Sequence, residues 1–396
     1  MSNAFDFSDF PDRVGTGSIK WEPEHLLAKF GVNDALPMWV ADMDFATAPC
    51  VLDALRTRLD HPLFGYTRVF EPYRHAVIDW FKTQHGWSIQ NDWICHAPGI
   101  VSAMNLLVSA VTEPGDKIVV QPPVYYPFFS AVRDNKRELV LNPLVIDCHG
   151  LYQIDFDQLE KQFSDENVRL FMLCNPHNPG GRVWTKTELS RLIDLSIRYN
   201  VLVISDEIHC DLVWPGYTHQ PLPLVDSRVL DHCIVCTASS KSFNLAGLQT
   251  SDIIIPNARL RKKYRLQLHK TGLADPNIMG LVATEAAYRN GLEWLKELRA
   301  QLVLNLEQLE SFFAEQLPGV ALMQTQATYL AWFNLESFGV DAKVAEQALL
   351  KVGKVILNPG YIFGAPGEDW MRINFACPAP MLDEGLQRIK RGLDSL

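Results

Sequence analysis

Through the middle of the chain, short runs that are apolar at almost every position alternate with longer stretches in which apolar residues recur every three or four. The short runs are 117–121 (KIVVQ), 170–173 (LFML), 201–205 (VLVIS), 233–237 (CIVCT) and 252–255 (DIII). They are rich in β-branched residues and apolar on both faces, the pattern of strands covered on both sides in a mostly parallel sheet. Between them, Leu189, Leu192, Ile193 and Ile197 recur at helical spacing within 187–199. The alternation predicts a layered α/β domain.

Beyond about Asp275 the pattern changes. Pro276 opens a long helical periodicity that runs to Leu317 and breaks near Asn290 and Gly291. Two more apolar runs follow, 329–333 (YLAWF) and 371–375 (MRINF), and an amphipathic stretch over 381–393 closes the chain. These predict a smaller α+β domain. The expected division is a large domain over residues 45–280, with 1–44 and 281–396 forming an N-terminal arm and the small domain. No internal repeat or low-complexity linker interrupts this plan.

Composition narrows the partners. With 396 residues and a formal net charge of −10, nucleic acid and anionic membrane are excluded as expected main partners. The start of the chain lacks a basic segment followed by an apolar run, and no apolar stretch is long enough to span a bilayer, so the cytoplasm is the expected compartment. Eight scattered cysteines read as reduced thiols rather than a disulfide framework. Cys233 and Cys236 form a C-x-x-C, but inside a strand, where residues three apart face opposite sides. That pair is expected to be structural, and no metal is expected.

Four segments carry candidate chemistry. Lys241 follows an apolar strand within TASSKSFNLAG, among small hydroxyl residues that could hold a phosphate. Asp206 ends the run VLVIS, and a carboxylate at the C-terminal end of a parallel strand points into a ligand crevice. Asn178 sits in NPHNPGG, where prolines and glycines enforce a tight turn at another strand end. Gly99 precedes an apolar helix whose first-turn N–H groups suit a phosphate. Alone, Lys241 would read as a solvated loop lysine and Asp206 as a helix N-cap. The ordered set of four changes that reading.

Together these motifs resemble the fold-type-I pyridoxal 5'-phosphate (PLP) enzymes, the aspartate aminotransferase superfamily, over nearly the whole chain. The resemblance implies an α/β PLP-dependent transferase fold, with a mostly parallel seven-stranded sheet between helices and a smaller α+β domain. It implies PLP as cofactor, an amino-acid substrate and a homodimer whose active site is shared across the interface. Lys241 then resembles the Schiff-base lysine, Asp206 the partner of the pyridinium nitrogen and Asn178 the donor to the phenolic oxygen. Tyr125 resembles the aromatic that stacks on the ring, with Tyr126 competing for that role. Gly99, Ile100, Val101 and Ser240 resemble phosphate contacts, and Tyr66 the tyrosine that reaches the neighbouring subunit's phosphate. Arg372 resembles the arginine that grips the substrate α-carboxylate with its planar fork.

Two departures indicate the branch. His209 stands where many transaminases carry a tyrosine that bonds the cofactor, and Gln249 stands where many carry a phosphate-binding arginine. With DEIHCDL, SKSFNLAGLQ, RVGTGSIKW and WVADMDF, the chain is similar to the cystathionine β-lyase-like C–S lyases. That similarity implies ligand-facing roles for Ala41 and Asp42, in preference to reading the two segments as an ordinary arm and strand edge. The implied reaction begins with removal of the Cα proton by the Lys241 amine and continues with loss of a thiolate from Cβ. A transaminase for an aromatic or other apolar amino acid would use the same lysine and remains open. So does a regulatory PLP-binding protein that acts through a partner.

Overall fold

The computed structural model describes residues 5–396. Seven strands form the central sheet: β1 Ile94–Ala97, β2 Lys117–Val120, β3 Glu138–Leu141, β4 Val168–Cys174, β5 Leu202–Asp206, β6 Cys233–Thr237 and β7 Ser251–Ile254. Their spatial order is β1-β7-β6-β5-β4-β2-β3. Only β7 runs against its neighbours, pairing antiparallel with both β1 and β6. The α/β sheet expected from the alternation is therefore present, with seven strands and one reversed.

Five of these strands coincide with the apolar runs. The other two did not stand out, for different reasons. β1 (ICHA) is four residues long and carries His96. β3 (ELVL) lies at the sheet edge, where Glu138 and Leu141 are exposed, so it lacks the all-apolar signature of a covered strand.

Alternation along each strand divides the core. Ile118, Val120, Leu170, Met172 and Ile204 pack on one face with helices Ile100–Val111 and Ala258–Thr271. Val119, Phe171, Leu173 and Val203 pack on the other with helices Phe156–Phe163 and Lys186–Tyr199. The latter helix starts where periodicity predicts, because Thr185 and Glu188 form a reciprocal capping box. Cys233 lies on the second face and Cys236 on the first, so the pleat puts the two thiols of the C-x-x-C on opposite sides of the sheet.

The long C-terminal periodicity resolves into helices Ile278–Asn290 and Leu292–Gln316. The break falls at Gly291, where a Cβ would lie 2.5 Å from both the Ala287 carbonyl oxygen and the Phe243 ring. The smaller C-terminal domain holds strands β8 Leu330–Asn334, β9 Asn358–Pro359 and β10 Trp370–Asn374, ordered β8-β10-β9, and ends in helix Ala379–Leu393. Among the described residues, no helix is long and apolar enough to cross a membrane.

Register across the parallel strands sets the location of the site. Cys174 of β4 pairs with Asp206 of β5, and Asp206 with Cys236 of β6. The C-terminal ends of three adjacent strands thus form one rim, from which the chain turns into the NPHNPGG, DEIHCDL and SSKSFNLAG segments.

Candidate active site

A cavity of about 250 Å³ opens over this rim. Gly99, Ile100, Val101, Tyr125, Asn178, Asp206, His209, Ser240, Lys241 and Ala41 all line it. Segments up to 200 residues apart in sequence therefore converge on one space, joined directly where the Lys241 Nζ donates to the Ala41 carbonyl at 2.5 Å.

One end of the cavity is an anion cradle. Helix Ile100–Val111 starts there from Gly99 at φ 87°, with no side-chain cap and no acidic residue in its first turn. The free N–H groups and the helix dipole favour a negative ligand. Ser240 and Thr250 add hydroxyl-bearing side chains to the same wall. Gln249 lies so close that a Cβ on Gly99 would meet its Oε1 at 3.0 Å. Apart from Lys241, no cationic side chain of the described residues lines the cavity, which leaves a bound phosphate to neutral donors.

At the centre are three groups whose ionisation is governed by burial. Asp206 is 4% exposed and accepts one hydrogen bond, from the Ile208 N–H at 3.2 Å. Desolvation pushes its carboxyl up to about 7 from an ordinary 3.8, with Lys241 pulling the other way. A turn rather than a helix follows, so Asp206 caps no helix. Desolvation brings the Lys241 amine down to about 8, against the attraction of Asp42. His209 is held well below its usual range, first by burial and then by the charges of Lys241 and Arg372, so its imidazole is neutral. Its Nδ1 is buried without a partner.

Behind Asn178 lies Arg372, on β10 and 3% exposed. Its guanidinium donates to Asn178 Oδ1 at 2.9 Å, to the Trp39 carbonyl at 3.0 Å and to Asn358 Oδ1 at 2.5 Å, and sits 4.9 Å from the Phe363 ring centroid. All of these partners are neutral. Among the described residues no carboxylate pairs with it, and its Nε is buried without a partner. Burial pulls this guanidinium down to about 10. A buried cation held by neutral groups is a charge awaiting an anion, and the planar fork suits a carboxylate.

Some expected residues lie elsewhere. Between the two candidate tyrosines, Tyr125 lines the cavity and its hydroxyl is pushed up to about 12 by burial, whereas Tyr126 is 45% exposed. Tyr66 is fully exposed and lines none of this chain's own cavity. Asp42 faces an adjoining chamber, ion-paired to Arg13. Two residues were not foreseen: Tyr329, whose hydroxyl donates to the Ala41 carbonyl at 2.9 Å, and Asn358 against Arg372. A hydroxyl heading the apolar run YLAWF, and an Asn-Pro-Gly turn, were the available signals.

PLP fits these groups on structural grounds: an open helix N-terminus for its phosphate, a buried carboxylate short of donors for its ring nitrogen, and a lowered lysine between them. Without cofactor, Asp206 titrates from 3.8 unfolded to about 7 folded. Its raised value means the folded form is favoured most below pH 3.8, and that advantage is lost as pH rises toward 7. Cofactor-free protein should therefore lose melting temperature between pH 5 and pH 7 more steeply than cofactor-free Asp206→Asn. Asp252, also raised to about 7, is common to both proteins and cancels. Parallel melting curves would contradict this account of Asp206.

Comparison with known proteins agrees with the geometry. The chain matches the family "Aminotransferase class I and II" over residues 34–389. It is 44% identical to cystathionine beta-lyase PatB of Bacillus subtilis, covering 98% of this chain and 100% of that protein. Cystalysin from Treponema denticola, solved with PLP, superposes with a TM-score of 0.94 at 34% identity over 99% of both chains. The PLP-bound C–S lyase from Staphylococcus hominis gives 0.91 at 35% identity over 98% of both. The chain belongs to the class I and II aminotransferase family, within its PatB, MalY and C–S lyase branch, and is a PLP-dependent enzyme.

Proposed function

We propose that the enzyme is a C–S β-lyase that converts L-cystathionine or a related cysteine S-conjugate, with one water, into a thiol, pyruvate and ammonia. One observation supports this branch over transamination. The two segments that set it apart, RVGTGSIKW and WVADMDF, dock on each other beside Lys241. Arg13 and Lys20 of the first pair with Asp42 and Asp44 of the second. Asn244, three residues past Lys241, ties in the Met43 N–H at 3.0 Å and the Met43 and Phe45 carbonyls at 2.9 Å each.

The residues then divide the work. First-turn N–H groups of Ile100 and Val101, exposed by the turn at Gly99, would hold the phosphate with Ser240, and Tyr125 would stack on the ring. Asp206 would keep a proton on the ring nitrogen, and Asn178 and His209 would face the ring. When bound, PLP supplies an electron sink for the pair left at Cα. Arg372 binds the substrate α-carboxylate and orients the Cα–H bond. The Lys241 amine, brought down to about 8, has a neutral fraction near pH 7 that can take that proton as general base. Loss of the Cβ–S bond then releases the thiolate.

The site is completed, in this proposal, by a second subunit. Leu63, Phe64 and Tyr66 are 68%, 57% and 101% exposed on a segment outside any helix or strand, where Arg58 reaches the Leu63 carbonyl and the Phe64 ring but leaves the apolar surface largely open. Mixing Tyr66→Phe and Lys241→Ala subunits should restore activity above both parents, because each hybrid dimer carries one intact site. No gain would argue against sharing. For the chemistry, L-cystathionine or an S-alkyl cysteine supplied without keto acid should yield pyruvate and free thiol. No pyruvate there, with turnover once a keto acid is added, would make the enzyme a transaminase.

A further inference from the structure

Lys241 sits in a helical turn of four residues, Ser239–Ser242, which is too short to hold its own geometry. Two side chains of that turn anchor it from behind. Ser239 Oγ meets Thr284 Oγ1 at 2.8 Å, on helix Ile278–Asn290. Ser242, wholly buried, donates from Oγ to Asp211 Oδ2 at 2.6 Å. Neither serine lines the cavity over Lys241, and neither does Asp211.

The second anchor differs from the first in what it reaches. Asp211 belongs to DEIHCDL, the segment that carries Asp206 and His209 into the cavity. Its carboxylate therefore ties the turn of the lysine to the turn of the carboxylate assigned to the ring nitrogen. A third element holds it there. In helix Glu71–His85, His85 Nε2 lies 2.8 Å from Asp211 Oδ1, and Trp80 Nε1 donates to the same oxygen at 3.1 Å. Burial pushes the Asp211 carboxyl up, yet the bonds from His85, Ser242 and Trp80 outweigh it and hold the group below its usual range. His85, Cys210 and Asp211 lie close enough together to suggest metal ligands. The Trp80 and Ser242 donors already occupy both oxygens of this carboxylate, which makes it a hydrogen-bond node instead.

A buried carboxylate away from the cavity is costly unless its bonds fix something. What these bonds fix is the relation of Lys241 to Asp206. An amine that takes a proton must come within hydrogen-bond reach of it, and a misplacement of about 1 Å can cost about a hundredfold in rate. We propose that Asp211 and Ser242 are positioning residues, whose hydrogen bond locks the Lys241 turn onto the Asp206 turn and so sets where the lysine amine meets the substrate Cα. The proposal rests on Lys241 as the cofactor lysine and holds for a lyase and a transaminase alike.

The test uses PLP-loaded Ser242→Ala, Ser242→Thr, Asp211→Asn and Trp80→Phe, with whichever substrate the wild type turns over, L-cystathionine alone or an amino acid with a keto acid. Ser242→Ala should lower kcat about tenfold, the size of one charge-assisted hydrogen bond, and leave KM within about twofold because Arg372 is untouched. Without substrate, the visible circular dichroism of its bound cofactor should lose amplitude relative to absorbance, because the cofactor is held less rigidly. Ser242→Thr, which keeps the hydroxyl, should recover most of both. Asp211→Asn, which keeps the shape and loses the charge, should move both readouts in the same direction as Ser242→Ala, and decides the matter if the alanine variant does not fold. Trp80→Phe, which removes a bond to the other carboxylate oxygen, should lower the melting temperature and leave the dichroism near wild type. Wild-type kcat and dichroism in Ser242→Ala, equal losses in the alanine and threonine variants, or an equal loss of dichroism in Trp80→Phe would overturn the positioning role. Borohydride fixation of the wild-type cofactor to another lysine would instead overturn the assignment on which the role rests.

Discussion

Desolvation of charge at the C-terminal rim of the sheet is the constraint on which the site depends. Lys241, Asp206 and Arg372 are ionisable groups taken out of water without the ion pairs that normally accompany burial. Each is displaced toward its neutral form by the same cause. Such an arrangement is costly in an otherwise well-packed protein, and it makes chemical sense when a ligand supplies the missing partners. On the proposed assignment, PLP would bring a protonated ring nitrogen for Asp206 and a carbonyl for Lys241, and the substrate a carboxylate for Arg372.

The rest of the architecture holds these groups in place without neutralising them. Parallel register puts Cys174, Asp206 and Cys236 in one row, so the turns that follow them open onto the same cavity. Arg372 is steered by two amide oxygens, a backbone carbonyl and an aromatic face, which fix its direction and leave its charge available. Contrast the arm, where Lys20 and Asp44 do neutralise each other and are sealed. Charges used for structure are paired; charges assigned to chemistry are kept with neutral company.

Much of this was legible in the sequence because the cofactor residues lie in short contiguous motifs at strand ends. Lys241, Asp206 and Asn178 each follow an apolar run and Gly99 precedes an apolar helix; all four sit in turns of distinctive composition and reach the cavity. What was not legible depends on contacts between distant segments. PPVYYP places two tyrosines side by side, and only the folded chain shows that Tyr125 lines the cavity while Tyr126, at the start of helix Pro127–Arg133, is exposed. Tyr329 meets Ala41 across 288 positions, and Asn358 gains its role only through strand pairing with Arg372. Asp42 was expected to face the ligand, but its nearest partner is Arg13, 29 residues earlier, a pairing that no local pattern encodes. β3 escaped notice because an edge strand carries half-exposed residues and loses the apolar signature of its neighbours.

The central claim is that Lys241 is the covalent anchor of the cofactor. Borohydride reduction of the purified, cofactor-loaded enzyme, followed by proteolysis and mass spectrometry of the labelled peptide, tests it most directly. The account predicts a single pyridoxyl-lysine at position 241, and no fixed chromophore in Lys241→Ala. Fixation to a different lysine in the wild-type enzyme would contradict it.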